Sequence, residues 1–370
     1  MSSALTPLLQ PFACKSLHLR NRFMMAPMSR YFATSGIVTP ASADYYRRRI
    51  EGGVACVITE GVAIDRPGAV AADTIPRFFG NEALAGWDRV RQDVQAAGGA
   101  IIPQLWHVGG CTDFNFPDSP HDPLESPSGL VGPDLPGGRP MTGQDADEVQ
   151  ASFVRGALDA QRLGFDAIEL HGAHGYLFDQ FFWNVTNKRD DRYGGSSIAE
   201  RVGFAAETIA AIRQAVGPDY AIVFRFSQWK VYDYEAKIAS SPQELEAWLG
   251  PLAEAGVDIF HCSERRFWEN AFPGSDLNLA GWAKKVTGKP TITVGSVGLD
   301  RDLMADFVDG QSSPALERLD DLARRYERGD FDLVAIGRAL LGDAHWLRKV
   351  LDGRLSELSP YSAECTRTLT

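Results

Sequence analysis

Short apolar runs alternate with longer amphipathic stretches from one end of this chain to the other. Eight of the runs predict strands: Arg22–Ala26, Val54–Thr59, Ala100–Leu105, Phe165–Leu170, Tyr220–Phe226, Val257–His261, Thr291–Val294 and Leu333–Ile336. Their brevity and β-branched content favour strand over helix, and near-continuous apolarity suits strands buried on both faces. The stretches between them carry helix signals. "DADEVQASFVRGALDAQRLG" places acids in its first turn, where the positive end of the helix dipole favours them, and stops at Gly164. "SIAERVGFAAETIAAIRQAVG" stops likewise at Gly217. "SPQELEAWLGPLAEAG" opens with Ser241 as candidate N-cap and Pro242 in the first turn.

Eight strand–helix alternations imply a parallel sheet, and eight is the number that closes a (β/α)8 barrel, the TIM barrel. An open doubly wound sheet is the alternative. No G-x-G-x-x-G follows the first strand, so the dinucleotide fingerprint of that fold is missing. The expectation is an α/β fold, a single TIM barrel domain over residues 1–370 with long βα loops. The longest loop, residues 107–143, is rich in Pro, Gly, Asp and Ser and lies on the face where barrel enzymes carry their sites. A second, from Gly298 to Asp330, is charged enough to be mostly solvated helix.

Composition changes this picture mainly by exclusion. A net charge of −11 speaks against nucleic acid or an anionic membrane as partner. No apolar stretch approaches the ~18 residues of a membrane span. The first residues lack the order of a signal peptide, so a cytoplasmic protein is expected. The cysteines, Cys14, Cys56, Cys111, Cys262 and Cys365, are scattered with no C-x-x-C pair, so neither structural zinc nor an iron–sulfur cluster is expected.

Barrel strands end at the catalytic face, so the residues just past each run are informative. "APMSRYF" comes after the first, "QLWHVGG" after the third, "HGAHGYL" after the fourth, "RFSQWK" after the fifth and "CSERRFW" after the sixth. The seventh and eighth give "GSVG" and "GRALLGD", small and glycine-bearing with Arg338 alongside, the character of a phosphate cradle. The fourth delivers His171, His174 and Tyr176 in a chain of only seven histidines. Taken alone, that pair could be metal ligands, satisfied core residues or a functional couple. The Glu of H-E-x-x-H is absent and a third ligand would have to be guessed, so no metal is expected.

The motifs "LRNRFMMAPMSR", "QLWHVGG", "ELHGAHGYLFDQFF", "RDDRYGGS" and "DLVAIGRALLGD" occur in that order. Together they resemble the successive signatures of the Old Yellow Enzyme family, FMN-dependent ene-reductases on a (β/α)8 barrel. The resemblance runs from about Leu17 to Asp343. It implies tightly bound FMN, NADPH or NADH as reductant, and an activated alkene such as an enone, enal or maleimide as substrate. By that resemblance Pro27, Met28 and Ser29 lie along the isoalloxazine ring, with the Ser29 hydroxyl near its reactive edge. Gly61 offers backbone at close approach, Gln104 bonds the pyrimidine end, and Arg225 faces the charge of the reduced flavin. Gly295, Ser296, Gly337 and Arg338 hold the phosphate. His171 and His174 polarise the substrate oxygen, both rings facing one way if Gly172–Ala173 form a tight turn. Tyr176 gives a proton to the α-carbon. Tyr31 and Trp106 resemble substrate-contacting aromatics of two different subgroups.

Other readings stay open at this point. The same flavin barrel could run a redox-neutral isomerisation or a dehydrogenation, or bind flavin without catalysis; a zinc-dependent barrel hydrolase is a third class. Arg225 could be half of a structural ion pair, and Tyr31 and Trp106 core aromatics. Larger relatives add an iron–sulfur cluster and a second nucleotide domain, and the scattered cysteines and chain length argue against that organisation. "ERRFW" (Glu264–Trp268) could bind an anionic group or be a solvated loop. A homodimer is the expected assembly.

Overall fold

The computed structural model describes residues 3–111, 124–302, 311–313 and 316–370. All eight apolar runs become strands of one closed parallel barrel. They are β1 (Phe23–Met25), β2 (Cys56–Ala63), β3 (Ala100–Trp106) and β4 (Ala167–His174). The second half comprises β5 (Ala221–Lys230), β6 (Ile259–Ser263), β7 (Thr291–Val294) and β8 (Leu333–Ile336). Pairing of β8 with β1 and of β3 with β4 completes the ring. Five strands run past the expected ends, β3 to Trp106 and β6 to Ser263 among them. β2 continues through Gly61, β4 through His174 and β5 through Lys230, with Gly61 opposite Gln104 and His174 opposite Lys230. The ladder needs only peptide groups, so it persists after the apolar pattern has stopped.

Side-chain alternation divides the interior in two. Met24, Cys56, Ile102, Ala167, Val223, Ile259, Ile292 and Leu333 form one cluster with Leu17 and Leu19. Those leucines belong to a hairpin, Phe12–Cys14 paired with Leu17–Leu19, that plugs the N-terminal end of the barrel. Its Ser16 hydroxyl donates to the Asp166 carbonyl at 2.7 Å and accepts from Ala221 N at 2.9 Å. The alternate strand residues, among them Ile168, Phe224 and Phe260, pack outward against helix residues Trp87, Phe153, Ile209 and Trp248. Each such large side chain contributes about 1.5–3 kcal/mol on burial.

Helices follow the strands, two of them starting and stopping where the sequence signals. Among the helices are α1 (Pro40–Glu51), α2 (Asn81–Ala96), α3 (Gly143–Leu163), α4 (Leu177–Phe182), α5 (Gly203–Val216) and α6 (Pro242–Ala255). α3 is closed by a Thr142–Asp145 capping box and ends on left-handed Gly164. Ser241 caps α6, accepting from Glu244 N at 3.2 Å. The helix expected from Ser197 to Gly217 is instead two: Ile198–Arg201, with its own Ser197–Glu200 box, and then α5.

Of the loop after β3, residues 112–123 lie outside the described residues. The remainder forms short pairings, Glu125–Ser126 with Arg139–Pro140 and Leu130–Gly132 with Leu135–Pro136. Part of the Gly298–Asp330 loop also lies outside; its described end forms the helix Leu319–Glu327. Among the described residues no helix is long and apolar enough to cross a membrane.

Candidate active site

Inward-facing positions change character along four neighbouring strands. β3 presents Ile102, then Gln104, then Trp106; β4 presents Ala167, Glu169 and His171; β5 presents Val223 and Arg225; β6 presents Ile259, His261 and Ser263. An apolar floor thus gives way to a polar layer. Gln104 Nε2 donates to Glu169 Oε1 at 2.7 Å, and His261 Nδ1 lies 2.6 Å from Glu169 Oε2. The carboxylate fixes the His261 tautomer with its proton on Nδ1, which leaves buried Nε2 without a partner.

Above that layer stands a group of rings. His171 and His174 lie at 5.1 Å between centroids and perpendicular; His171 is 4.9 Å from Tyr176, and His174 is 6.5 Å from it. Trp106 backs His171 at 6.2 Å and meets Tyr176 edge-on at 4.9 Å. Burial and the neighbouring Arg225 hold both imidazoles well below their ordinary pKa, so both are neutral near pH 7. The tight turn expected at Gly172–Ala173 does not form. Those residues stay in β4, and a bulge between Gly172 and His174 reorients the chain, with His174 left-handed at φ 68°. Its Nε2 lies 2.8 Å from Ser263 Oγ, and its ring stacks on Trp229 at 4.3 Å.

Arg225 also reaches Ser263 Oγ, at 3.3 Å. Among the described residues it has no ion-pair partner, its Nε is buried and unbonded, and burial lowers its pKa to about 10. A buried cation with a vacant donor suits the electron-rich pyrimidine edge of a flavin, and FMN fits this chain on that observation. Gly295, Ser296, Gly337 and Arg338 come together at the ends of β7 and β8, where Arg338 Nη2 reaches Ser296 Oγ at 3.3 Å. A Cβ on Gly337 would meet only Met28 Sδ at 3.5 Å and Ala26 Cβ at 3.9 Å, so the β1 and β8 loops border one space.

The β1 loop carries buried Pro27, half-buried Met28 and Tyr31, and exposed Ser29. It is fastened by Glu60 Oε2, which accepts from Arg30 N at 2.9 Å and Tyr31 N at 3.3 Å; burial raises the Glu60 pKa to about 7. Gly61 also has a packing reason to be glycine. A Cβ there would lie 2.7 Å from the Trp106 ring, so the glycine makes room for the wall behind His171. Glu60, Glu169, Trp229, Lys230, His261 and Ser263 all complete the site and were not singled out from the sequence. Glu169 gave a signal, an acid inside an apolar run; Trp229 and Lys230 stand in "RFSQWK" and Ser263 in "CSERRFW" with no role read from either, and Glu60 and His261 stand in no motif.

The sequence matches the NADH:flavin oxidoreductase / NADH oxidase family over residues 7–313. It is similar to an NADH oxidase of Thermoanaerobacter brockii, 32% identical over 93% of this chain and 50% of that protein, so the chain spans about half the length of that relative. It is similar also to the chanoclavine-I aldehyde reductase fgaOx3 of Penicillium roqueforti, 33% identical over 94% of this chain and 90% of that protein. In fold it resembles an Old Yellow Enzyme homologue of Zymomonas mobilis, with a TM-score of 0.79 at 21% identity over 98% of this chain and 97% of the other.

Proposed function

The chain belongs to the NADH:flavin oxidoreductase / NADH oxidase family, that of Old Yellow Enzyme, and from that premise we propose that it is an FMN-dependent, NAD(P)H-consuming reductase of activated alkenes. The observation that carries this reading is the ring group itself: two neutral imidazoles, one buried and one half-buried, beside a tyrosine at the end of β4.

Bound FMN would supply the hydride that the alkene takes at its β-carbon. Arg225, Gln104 and the Pro27–Ser29 loop would hold the ring, and Gly295, Ser296, Gly337 and Arg338 the phosphate. His171 and His174, as neutral donors, would bond one substrate oxygen and take up the charge that develops on it. The bonds need no reorganisation, because the rings are already held by Trp106, Trp229 and Ser263. Tyr176 would pass a proton to the α-carbon. Trp106, only 2% exposed, excludes water behind His171.

The test is anaerobic visible spectroscopy of the FMN-loaded protein with NADPH or NADH, followed by cyclohexenone. A flavin band that bleaches with the nicotinamide and returns with the enone supports the reading. A band that bleaches but returns only on admitting air excludes alkene reduction for this probe, and protein that takes up no FMN sinks the reading entirely.

A further inference from the structure

A buried ion pair lies beneath the His174–Tyr176 turn. Lys230 Nζ, at the end of β5, stands 2.8 Å from Asp179 Oδ1 on α4, and both side chains are 0% exposed. Two charges so placed forfeit their hydration, and an apolar pair of similar volume would pack as well or better. Their other bonds show what they hold. Lys230 Nζ donates to the carbonyls of Ser227 at 3.2 Å and Gln228 at 2.7 Å. The Ser227 hydroxyl in turn accepts from His174 N at 2.9 Å. On the other side Asp179 Oδ2 accepts from Gly175 N at 2.7 Å. The Gly175 carbonyl receives Gln180 Nε2 at 2.7 Å and Cys111 Sγ at 3.0 Å.

The peptide groups on both flanks of His174 are therefore tied to one buried pair. The tie is needed because the turn is not one the chain adopts by itself: His174 has φ 68° and Gly175 φ 86°, two left-handed residues in succession. Such a conformation persists in a non-glycine residue only where its surroundings over-determine it.

We propose that Lys230 and Asp179 form a positioning pair that holds His174 left-handed and so aims its imidazole, with Tyr176 two residues on, at the substrate oxygen. The inference rests on the role given to His174 above. Neither residue touches the reacting atoms; both act through the backbone of the turn.

The decisive variant is the double substitution Lys230→Met/Asp179→Leu, which removes both charges together and leaves none unpaired. It is compared with wild type as FMN-loaded protein. The expected result is a folded protein with wild-type FMN affinity, alkene turnover lower by about 10- to 100-fold, and displaced ¹⁵N signals of the His174 imidazole. Wild-type turnover with superimposable His174 signals would overturn the proposal, since the pair would then serve packing alone. If wild type itself turns over no alkene, the functional reading fails separately. The His174 signals then decide alone: displaced signals uphold the positioning role and unchanged signals remove it.

Discussion

At the N-terminal end of the barrel, Asp166, Asp258 and Asp332 stand immediately before β4, β6 and β8. Each accepts from a peptide N–H at the start of the strand alongside: Ile101 at 2.8 Å, Ile222 at 2.9 Å and Thr291 at 3.0 Å. Asp258 also pairs with Lys15 at 2.6 Å and with Arg213, and Asp332 with Lys284 at 3.0 Å. At the C-terminal end, Arg225 makes no salt bridge among the described residues, and Arg225 Nε, His261 Nε2 and Trp106 Nε1 are buried without partners. Buried atoms without partners occur at the N-terminal end too, among them Tyr220 Oη and Thr291 Oγ1, but Asp258 and Asp332 there are paired with cations, whereas Arg225 at the other end makes no ion pair among the described residues. Unmet buried polar groups are costly, and the paired carboxylates at the N-terminal end help to hold the strands that carry them. That division between a stabilising bottom and a reactive top is the general logic of this fold.

Substitutions at the two ends should separate activity from stability. At the top, His171→Ala together with His174→Ala should lower alkene turnover about 10³-fold. Unfolding free energy should move by no more than about 1 kcal/mol, since sites of this kind are not optimised for stability. Turnover and urea unfolding measured on one preparation check both halves, and a large loss of stability would return the pair to the core. At the bottom, Asp258→Ala should cost about 2–4 kcal/mol, less than a fully buried pair would, because Lys15 and Arg213 keep 32% and 17% exposure. Turnover per folded molecule should not change. Reduced turnover at full stability would blur the division between the ends.

Protonation should produce a smaller effect. Burial first, and Arg225 second, hold the pKa of His171 and of His174 below the ordinary 6.5. Below that pH the unfolded chain binds more protons than the folded one, so stability is lost as pH falls. Over the pH unit below 6.5, wild type should lose up to about 1.4 kcal/mol per imidazole more than the double histidine variant. Parallel urea-unfolding curves for the two proteins would show that the rings are already charged.

Much of this organisation is legible in the sequence because it depends on local pattern. The apolar runs locate every barrel strand, and their C-terminal neighbours supply His171, His174, Tyr176 and Arg225. The features that escape depend on contacts between strands far apart in the chain. His261 and Glu169 meet only because β4 and β6 flank β5, and Lys230 reaches Asp179 only because β5 outruns its apolar segment. The packing part of Gly61 is hidden for a related reason: a glycine shows that space is needed without showing which ring, here that of Trp106, takes it. The bulge at His174 is likewise set by the register of β4 against β5, which no single segment specifies.

The most direct measurement is on Arg225→Met, comparing the unfolding free energy of the FMN-free protein with its affinity for FMN. If the cation is kept unpaired for the flavin, the FMN-free variant is at least as stable as wild type and binds FMN about 100-fold more weakly. A variant destabilised by more than about 2 kcal/mol that still binds FMN like wild type would make Arg225 a structural residue, and the contrast between the two ends of the barrel would fall.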